Sequence, residues 1–359
     1  MKVLALRVLA WDITARLPQR IDFIKDRISE SVDYSEIHIS PVHALGYYLG
    51  YIISFILTVP RLLRRNYDIL LVENAYLAVF GIISRLSGKK VIAEYVDYYP
   101  DMLHRIYRTR RFRYFVAFML CSIFSRFVNL VIVETQLSKQ MVISLGINGN
   151  KVRIISQSPD LSVIKPSDKK EILQKYGITP NEFVVGYLGK FADHYGLESI
   201  PAATAIAQEK TKRDLVLLMV GDGEFFSNIK EMTGRLDLKK SIFPGRVPFQ
   251  EVSKYYSSFD VLLYTPNTAS GIKLAEAMVI GVPVIVGGGY ATEFIEDGIT
   301  GFIAKTRTPK AYAEKIIEIE GWKENDLLEL SKRIQSYAYK RFVLSYKRYL
   351  SVFNEVIFS

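Results

Sequence analysis

The sequence predicts an α/β protein with two doubly wound parallel sheets, and three observations support this fold class. Short apolar runs alternate with helical patterns along both halves of the chain, which is typical of parallel sheets with helices on both faces. The 359 residues are too many for one ordinary domain and fit two. A hydrophobic content of 49% is enough to fill two cores.

Each half contains a series of strand-like runs, and the second half repeats the pattern of the first. The runs of the first half are Val3–Ala10, Ser35–Ile39, Ile69–Glu73, Val91–Tyr95, Leu130–Val133 and Val152–Ser156. Those of the second half are Val184–Leu188, Leu215–Val220, Ser241–Phe243, Val261–Tyr264, Pro283–Val286 and Gly301–Ala304. The segment Gln157–Asp168 is polar and interrupted by prolines, which predicts a linker. Because ligands bind at the carboxyl ends of parallel strands, we expect the functional site in a cleft between the halves.

The strongest functional signal is the stretch DVLLYTPNTASGIKLAEAMVIGVPVIVGGG, which begins at residue 260. It predicts a strand, a loop, a short helix capped by Thr268 or Ser270 and ended by Gly281, and a second strand. Lys273 and Glu276 lie three residues apart and therefore on one face, near the positive end of the helix dipole. A carboxylate there can accept both hydroxyls of a ribose, and the first-turn N–H groups can hold a phosphate. The alternative is an exposed ion pair on the helix surface.

The composition excludes several classes of protein. The single cysteine, Cys121, rules out an internal disulfide framework and fits a reducing compartment. Four scattered histidines give no zinc-ligand spacing: His38, His43, His104 and His194. The net charge of +10 implies an anionic partner, which is a nucleic acid, a membrane surface or a phosphorylated substrate. The segment MKVLALRVLAWDITAR lacks a small-residue cleavage site after its apolar run, so no signal peptide is expected.

Several further motifs follow one another in a characteristic order from residue 183 onward. They are GYLGK at Gly186–Lys190, VGDG at Val220–Gly223, FPGRVP at Phe243–Pro248, the residues Tyr255, Tyr256 and Asp260, EAMVIGVPVI at Glu276–Ile285, and EFIEDGITG at Glu293–Gly301. This ordered set resembles the GT4-type (glycosyl transferases group 1) retaining GT-B glycosyltransferases, and it covers nearly the whole second half. The first half resembles that family only in outline.

The resemblance implies the GT-B fold, in which two Rossmann-like domains face each other across a cleft. An acceptor-binding domain is expected at 1–163 and a nucleotide-sugar-binding domain at 164–339. The aromatic and basic segment Tyr337–Phe358 has helical spacing, and the resemblance implies that a final helix at 340–359 completes the first domain. Such a crossover also supplies a hinge for closure over the donor.

The resemblance also assigns residues to a sugar donor. Glu276 would hold the donor ribose, Lys190 and Lys273 would lie near the diphosphate, and Arg246 and Val247 would lie against the base. The remaining donor-binding candidates are Gly189, Gly221, Ser270, Gly271 and Ile272. Lys190 and Glu276 are also catalytic candidates, and cations with helix N-termini can stabilise a leaving diphosphate. We expect transfer without a metal or another cofactor, because no DxD-type acidic motif faces the donor; retention of configuration is implied by the resemblance alone.

Three positions depart from the family pattern. Thr268 stands where the family has the first acid of its paired-glutamate motif, so contacts to the donor sugar differ. Tyr195 before Gly196 replaces a family lysine, which removes one phosphate cation unless Lys273 supplies it. The segment DITARLPQR, from Asp12, replaces the glycine-rich loop that follows the first strand.

The acceptor candidates lie mostly in the first half. The acids of EYVDYYPD follow a predicted buried strand, and Asp97 is the preferred group to orient or activate an acceptor hydroxyl. The alternative is a loop carboxylate that caps the next helix. Asp12, Arg16 and His194 are further candidates for the site, although a lone loop histidine is often structural or solvated. Tyr255 and Tyr256 are interpreted as core residues of a helix.

The positive charge points to an anionic membrane surface. Five arginines are interleaved with aromatic residues and predict membrane contact: Arg105, Arg108, Arg110, Arg111 and Arg113. Arg61, Arg64 and Arg65 add a second basic cluster after Pro41–Pro60, a stretch without charged residues. We interpret that stretch as a buried helix rather than a membrane span, because a span would place part of one sheet across the bilayer. The alternative for the arginines is a solvated face.

These observations predict a hexosyltransferase that acts on a UDP- or GDP-sugar. The expected acceptor is lipid-linked or a glycan, at the cytoplasmic face of the membrane, where the protein would be peripherally bound. The alternatives are a catalytically silent nucleotide-sugar-binding subunit, favoured by Thr268, and an epimerase or hydrolase, disfavoured by the few histidines. Nucleic-acid binding is disfavoured because no recognition motif accompanies the charge.

Overall fold

In a computed structural model the protein forms two compact units. The structure describes residues 1–8, 28–39, 47–73, 79–95, 119, 122–266 and 271–358. The first unit comprises Met1–Ser158 together with Leu344–Ser359, and the second comprises Pro159–Val343. The division therefore falls within the predicted linker, directly after Ser158.

The first unit is built on a parallel six-stranded sheet with the strand order β2-β1-β3-β4-β5-β6. Its strands are β1 (Lys2–Val8), β2 (Asp33–Ile39), β3 (Ile69–Glu73), β4 (Lys90–Tyr95), β5 (Leu130–Val133) and β6 (Val152–Ile154). Its described helices include α1 (Tyr47–Arg64), α2 (Val79–Leu86), α3 (Gln136–Ser144) and α11 (Ser345–Phe358), the last helix of the chain.

The second unit repeats this design with the strand order β12-β11-β10-β7-β8-β9. Its strands are β7 (Phe183–Leu188), β8 (Leu215–Val220), β9 (Lys240–Gly245), β10 (Val261–Tyr264), β11 (Val284–Val286) and β12 (Phe302–Ile303). Its α-helices are α4 (Lys170–Lys175), α5 (Ser199–Gln208), α6 (Phe226–Gly234), α7 (Val252–Ser257), α8 (Ile272–Ile280), α9 (Pro309–Glu320) and α10 (Glu324–Ala338), and a π-helical turn, Tyr339–Val343, follows α10.

The central strands are buried on both faces, as their apolar sequences predict. Every residue of β5, β7, β8 and β10 is buried. Such strands need helices on both sides of the sheet. In the first unit α11 supplies part of that cover, and its side chains Tyr349 and Phe353 pack in one cluster with Val3 and Ile69 of the sheet.

The predicted fold class is confirmed, and the differences lie at the ends of elements. All twelve predicted runs form strands, but β6 ends at Ile154 rather than Ser156, and β12 contains only Phe302–Ile303. Ile164 of the predicted polar linker is fully buried in the core of the second unit.

Residues 47–60 of the charge-free stretch before Arg61 belong to α1, but α1 is not uniformly buried. Thr58 and Leu62 are buried, whereas Ile56, Leu57 and Leu63 are more than half exposed. The expectation of a buried helix is therefore wrong for Ile56 and Leu57 of that stretch. None of the helices in the described part of the chain is long and apolar enough to cross a membrane.

Candidate functional site

The sheet of the second unit has a topological switch point between β7 and β10. From β7 the chain proceeds to β8 and β9 on one side, and later to β10, β11 and β12 on the other side. In open α/β sheets ligands bind outside the carboxyl ends of the strands at such a point. The predicted donor residues follow these strands, so the topology brings them to the same edge of the sheet.

Two glycine turns meet at this edge after β7 and β8. Gly189 N–H donates to the Val220 carbonyl at 3.0 Å, and a Cβ on Gly221 would lie 1.8 Å from the Gly189 carbonyl oxygen. Gly221 also has φ +133°, a backbone conformation that other residues rarely adopt. The hydroxyl of Tyr187 donates to the carbonyl of Lys190 at 2.7 Å and fixes the first turn. Only glycine at 221 permits this close approach of the two backbones.

Lys190 extends from the first of these turns into solvent. Its side chain is 60% exposed, and Nζ lies 3.3 Å from Glu224 Oε2. Exposed ion pairs of this kind are weak, so a stronger anion can displace Glu224. The position agrees with a phosphate contact, which stays a prediction.

The helix α8 begins at the same edge. Gly271 is the N-cap position and Ile272 the first helical residue, whereas Thr268 and Ser270, the predicted capping residues, lie outside the described residues. A Cβ on Gly271 would lie 2.6 Å from the Phe294 ring, which explains why glycine stands there. The helix ends at Gly281 with φ +92°, as predicted.

Glu276 is a buried carboxylate, not an exposed surface charge. It is 4% exposed, and its Oε2 accepts hydrogen bonds from Lys273 Nζ at 2.8 Å and from the Tyr256 hydroxyl at 2.9 Å. Both of these hydrogen bonds, the ones found within the described part of the chain, are made to Oε2. Oε1 can therefore accept a hydrogen bond from a ligand. The alternative of an exposed ion pair is therefore wrong for Glu276.

Tyr256 is the partner that sequence reasoning missed. Both Tyr255 and Tyr256 are buried, as expected for core residues, but the Tyr256 hydroxyl also reaches Glu276. Burial, with the Glu276 charge as a smaller cause, raises the pKa of Tyr256 well above its usual value. The phenol therefore stays protonated and donates to the carboxylate. The tyrosine pair before Asp260 was the available signal, but a contact across 20 positions is not visible in local sequence.

The remaining described candidates occupy loops of the second unit. Arg246 is exposed and Val247 half-buried, directly after the edge strand β9. His194 Nδ1 lies 3.2 Å from Asp193 Oδ1, and its ring packs edge-on against Tyr195 with centroids 4.6 Å apart. These contacts fit the structural interpretation of His194, while a role toward a substrate stays a prediction.

Several predicted residues lie outside the described residues. They are Asp12, Arg16, Asp97, Arg105, Arg108, Arg110, Arg111, Arg113, Thr268 and Ser270. Among the residues that are described, no three His, Cys, Asp or Glu side chains come together as a potential metal site. The metal-independent character of the site stays a prediction.

A further cation at this edge was not anticipated. Arg307, in the loop after β12, donates from Nη2 to the Thr265 carbonyl at 2.5 Å, directly beyond the end of β10. No sequence motif marks this arginine, because the contact joins positions 42 residues apart.

The protein has two parallel-sheet units, and the residues predicted to bind a nucleotide-sugar lie at the switch point of the second sheet. These features define a class, the two-domain nucleotide-sugar enzymes of GT-B type. The chain matches the family Glycosyl transferases group 1 over residues 168–341 and Glycosyltransferase Family 4 over residues 11–163. The chain belongs to the GT4-type GT-B glycosyltransferases.

Relatives and solved structures agree with this assignment. The chain is 26% identical over 235 residues to alpha-monoglucosyldiacylglycerol synthase of Streptococcus pneumoniae, which covers 63% of this chain and 53% of that protein. It is 27% identical over 181 residues to N-acetyl-alpha-D-glucosaminyl L-malate synthase of Bacillus anthracis, covering 49% of this chain and 45% of that protein. The chain thus spans about half the length of these curated relatives.

The fold is similar to Anabaena HepE in complex with UDP and glucose, with a TM-score of 0.77, 20% identity, and coverage of 99% of this chain and 100% of HepE. It is also similar to sucrose-phosphate synthase of Thermosynechococcus elongatus, with a TM-score of 0.79, 14% identity and 99% coverage of both chains. At these identities the likeness establishes the fold.

Proposed function

We propose that the protein transfers a hexosyl group from a UDP- or GDP-sugar to a lipid-linked or glycan acceptor at the cytoplasmic membrane face. The observation that carries this proposal is Glu276. This carboxylate is 4% exposed, and Tyr256 and Lys273 stabilise the buried charge through hydrogen bonds to its Oε2. Oε1 is available for the hydroxyls of a ribose. The complex of HepE with UDP and glucose supports a uridine donor.

The donor is proposed to lie along the carboxyl edge of β7, β8 and β10. Its diphosphate would contact Lys190, Lys273 and the N–H groups at Gly271 and Ile272, and Gly189 and Gly221 would let the backbone approach it. The base would lie against Arg246 and Val247. This arrangement places the anionic part of the donor at the N-terminus of α8, where the helix dipole favours negative charge.

In the proposed reaction the bond between the anomeric carbon and the diphosphate oxygen breaks, and its electron pair leaves with the diphosphate. The acceptor hydroxyl oxygen forms the new bond to that carbon. The hydroxyl proton passes to the leaving phosphate, and Asp97 orients the hydroxyl. Retention of configuration, independence of a metal, and acceptor contacts by Asp12, Arg16 and His194 belong to the same proposal.

The membrane part of the proposal has support in the described residues of α1. Arg61, Arg64 and Arg65 are exposed and, with Glu36 and Ile37, line a surface cavity of about 450 Å³. The exposed side chains of Ile56, Leu57 and Leu63 lie on the same helix. Apolar side chains beside arginines are typical of a surface that rests in the headgroup region. The pneumococcal relative is named for a glucosylated diacylglycerol, which fits a lipid acceptor.

The test is a thermal-shift and turnover panel. The protein is mixed with UDP-, GDP- and ADP-sugars, and a donor that binds the native state raises its melting temperature. Donor consumption is then measured with and without a membrane extract. Consumption that requires the extract supports transfer; consumption without it indicates a hydrolase or epimerase, and binding without consumption indicates a silent subunit.

The variant Glu276→Gln tests the assignment of Glu276 to the donor ribose. We expect it to weaken nucleotide-sugar binding by about 10- to 100-fold, because the ribose loses a charged hydrogen-bond acceptor. Glu318→Gln is the control, since Glu318 forms a similar i,i+3 pair with Lys315 at 2.9 Å on the more exposed face of α9. Equal affinity of Glu276→Gln and the wild type would refute the assignment of Glu276.

A further inference from the structure

Three stretches of the first unit contain no acidic residue. They are 47–67, which includes α1, 79–92, which includes α2, and 119–133, which includes a helical turn at 122–125. Among the described residues thirteen large apolar side chains are exposed, and seven of them lie on these stretches. The seven are Ile56, Leu57, Leu63, Leu86, Met119, Ile123 and Phe127. Exposed apolar side chains gathered in this way mark an interaction surface.

The helices of the three stretches end at the same edge of the first sheet. Arg65, Leu86 and Phe127 each lie three or four residues before a strand, which is β3, β4 or β5 respectively. These strands are neighbours in the parallel sheet, so their amino ends meet at one edge. The exposed residues at these helix ends form what we call the amino-edge rim: Leu63, Arg64, Arg65, Arg85, Leu86, Arg126 and Phe127.

Side-chain hydrogen bonds join the three parts of the amino-edge rim. The hydroxyls of Tyr67 and Ser84 lie 2.9 Å apart and connect the segment before β3 to α2. Arg85 Nη1 donates to Asn129 Oδ1 at 3.2 Å and connects the end of α2 to the segment before β5. Asn129 Oδ1 also accepts from the Val91 N–H at 2.9 Å, which fixes it to β4. The rim is therefore one continuous surface.

The amino-edge rim combines this apolar surface with positive charge. Its four arginines are exposed, and the bond from Arg85 to the Asn129 amide leaves the charge of that guanidinium intact. The first acid after the stretch 47–67 is Asp68, which accepts from the backbone N–H of Lys2 at 2.8 Å. A bilayer with anionic phospholipids fits both features, because cations bind its headgroups and apolar side chains enter its interface. A nucleic acid would bind the cations but leave the apolar side chains in water.

We propose that the amino-edge rim rests on an anionic phospholipid bilayer, so that the carboxyl edge of the first sheet stands away from the lipid. Strands β3 and β4 contain five and six residues. At about 3.3 Å per residue, the two edges lie about 17–20 Å apart. The surface of the first unit that meets the membrane is then opposite the edge at which its strands end.

This orientation selects between acceptor classes, and in that respect it rests on the proposed function. Asp97, the proposed acceptor residue, comes two positions after β4 in the sequence. A hydroxyl that Asp97 orients would be held up to about 20 Å from the headgroups. The outer sugar of a lipid-linked glycan can reach that height, whereas the glycerol hydroxyl of a diacylglycerol stays in the headgroup layer. The acceptor class is therefore a lipid-linked glycan.

Fluorescence quenching tests the orientation. Bimane is attached to single cysteines in a Cys121→Ser background, and the protein is mixed with phosphatidylglycerol vesicles that contain a nitroxide-labelled lipid. Leu86→Cys labels the rim, Gln136→Cys labels the start of α3 after β5, and Leu328→Cys labels α10 of the second unit. All three positions are exposed. We expect the label at position 86 to lose most of its fluorescence, and the labels at positions 136 and 328 to keep theirs.

A pair of double variants tests the apolar contact. Leu63→Ser with Leu86→Ser is expected to weaken binding to phosphatidylglycerol vesicles by about 10- to 100-fold in cosedimentation, because two side chains no longer enter the lipid. Ile299→Ser with Leu328→Ser is the matched control, since both residues are exposed in the second unit, and it should bind as the wild type does. Because all four residues are exposed, we expect melting temperatures within about 2 °C of the wild type.

Donor consumption on vesicles tests the acceptor class. Dioleoylglycerol added to phosphatidylglycerol vesicles is expected to leave donor consumption unchanged, whereas a membrane extract that contains lipid-linked glycans should raise it. Consumption that dioleoylglycerol stimulates would overturn the assignment of a glycan acceptor.

Three further results would overturn the inference about the rim. Equal quenching at positions 86 and 136 would show that the carboxyl edge also meets the lipid. Quenching at position 328 alone would move the contact to the second unit. Equal losses of binding in the two double variants would show that exposed apolar residues act without regard to place.

The failure of the inference can be told apart from that of the proposed function. A wild type that does not bind phosphatidylglycerol vesicles refutes both the rim and the membrane part of the proposed function. A wild type that binds them with quenching at position 86, but consumes no donor under any condition, supports the rim and refutes the transferase.

Discussion

The buried charge of Glu276 is stabilised by two hydrogen-bond partners that the fold places beside it. Burying a carboxylate is costly unless it is paired and hydrogen-bonded. Here a cation and a neutral phenol share Oε2, at 2.8 Å and 2.9 Å. Because both partners bond the same oxygen, the carboxylate is already oriented before a ligand binds. Binding of a ribose would therefore not include the entropic cost of ordering this side chain.

Tyr256→Phe tests this orienting role. We expect the free energy of unfolding to fall by about 1–3 kcal/mol, because Glu276 loses a donor in a buried setting. Nucleotide-sugar affinity should fall by about 3- to 10-fold, measured by calorimetry. Tyr255→Phe is the control, since the Tyr255 side chain is also buried but its hydroxyl bonds Tyr176 at 3.0 Å instead. An equal loss of affinity in both variants would show that tyrosine packing, not the contact to Glu276, is responsible.

The same variant has a signature at alkaline pH. Burial raises the pKa of Tyr256 well above its usual value of about 10, so the folded state keeps a proton that the unfolded chain loses. The stabilisation is complete below pH 10 and declines as pH rises beyond it. Tyr256→Phe should therefore show a shallower alkaline decline than the wild type in urea unfolding between pH 9 and pH 11.

At the scale of elements, apolar runs were sufficient to predict the sheets. Strands such as β7 and β10 are buried on both faces, so their sequences are continuously apolar and their boundaries fall close to the predicted ones. The ends of short edge elements are less defined, because β6 and β12 bury fewer residues and carry weaker signals.

The donor helix shows where sequence information ends. The glycine at its C-terminus was predictable because a left-handed residue is needed there. Its N-cap was not, because Gly271 is fixed by the Phe294 ring, a residue 23 positions away. Tyr256 and Arg307 were missed for the same reason. Their partners, Glu276 and Thr265, are brought to them by the order of strands and not by local spacing.

The surface of α1 leads to a prediction about membranes. Replacing Arg61, Arg64 and Arg65 by glutamine should weaken binding to anionic phosphatidylglycerol vesicles by about 100-fold, since each basic residue near such a surface contributes about 1 kcal/mol. Cosedimentation with these vesicles and with neutral phosphatidylcholine vesicles provides the measurement.

The control for the α1 variant is a second triple variant that also removes three positive charges, but from the second unit. Lys323, Lys332 and Arg333 are exposed residues of the second unit, at and within α10. Their replacement by glutamine should leave vesicle binding unchanged. If both triple variants lose binding equally, net charge alone would explain the attraction, and α1 would not be a defined contact surface.

At the scale of the whole molecule, the first unit is discontinuous in sequence. Residues 1–158 and the last helix form one unit, although the entire second unit lies between them in the chain. The last helix contributes Tyr349, Val352, Phe353 and Val356 to one face of the first sheet. Tyr349 also donates to the buried Glu94, and Arg153 pairs with Glu355. The first unit is therefore incomplete until the final residues have been added.

Ending the chain after Val343 should destabilise the first unit selectively. Burial of four large side chains contributes roughly 6–12 kcal/mol in total, at about 1.5–3 kcal/mol each, which equals the stability of a typical domain. Glu94 would also lose its buried donor. Hydrogen exchange should show loss of protection in β1, β3, β4 and β5 while β7, β8 and β10 stay protected, because their core contains none of the removed residues. Removal of only Phe358 and Ser359 is the control, since Phe358 is 87% exposed. Full protection of the first sheet in the shortened chain would mean that the last helix is an accessory and not a part of that core.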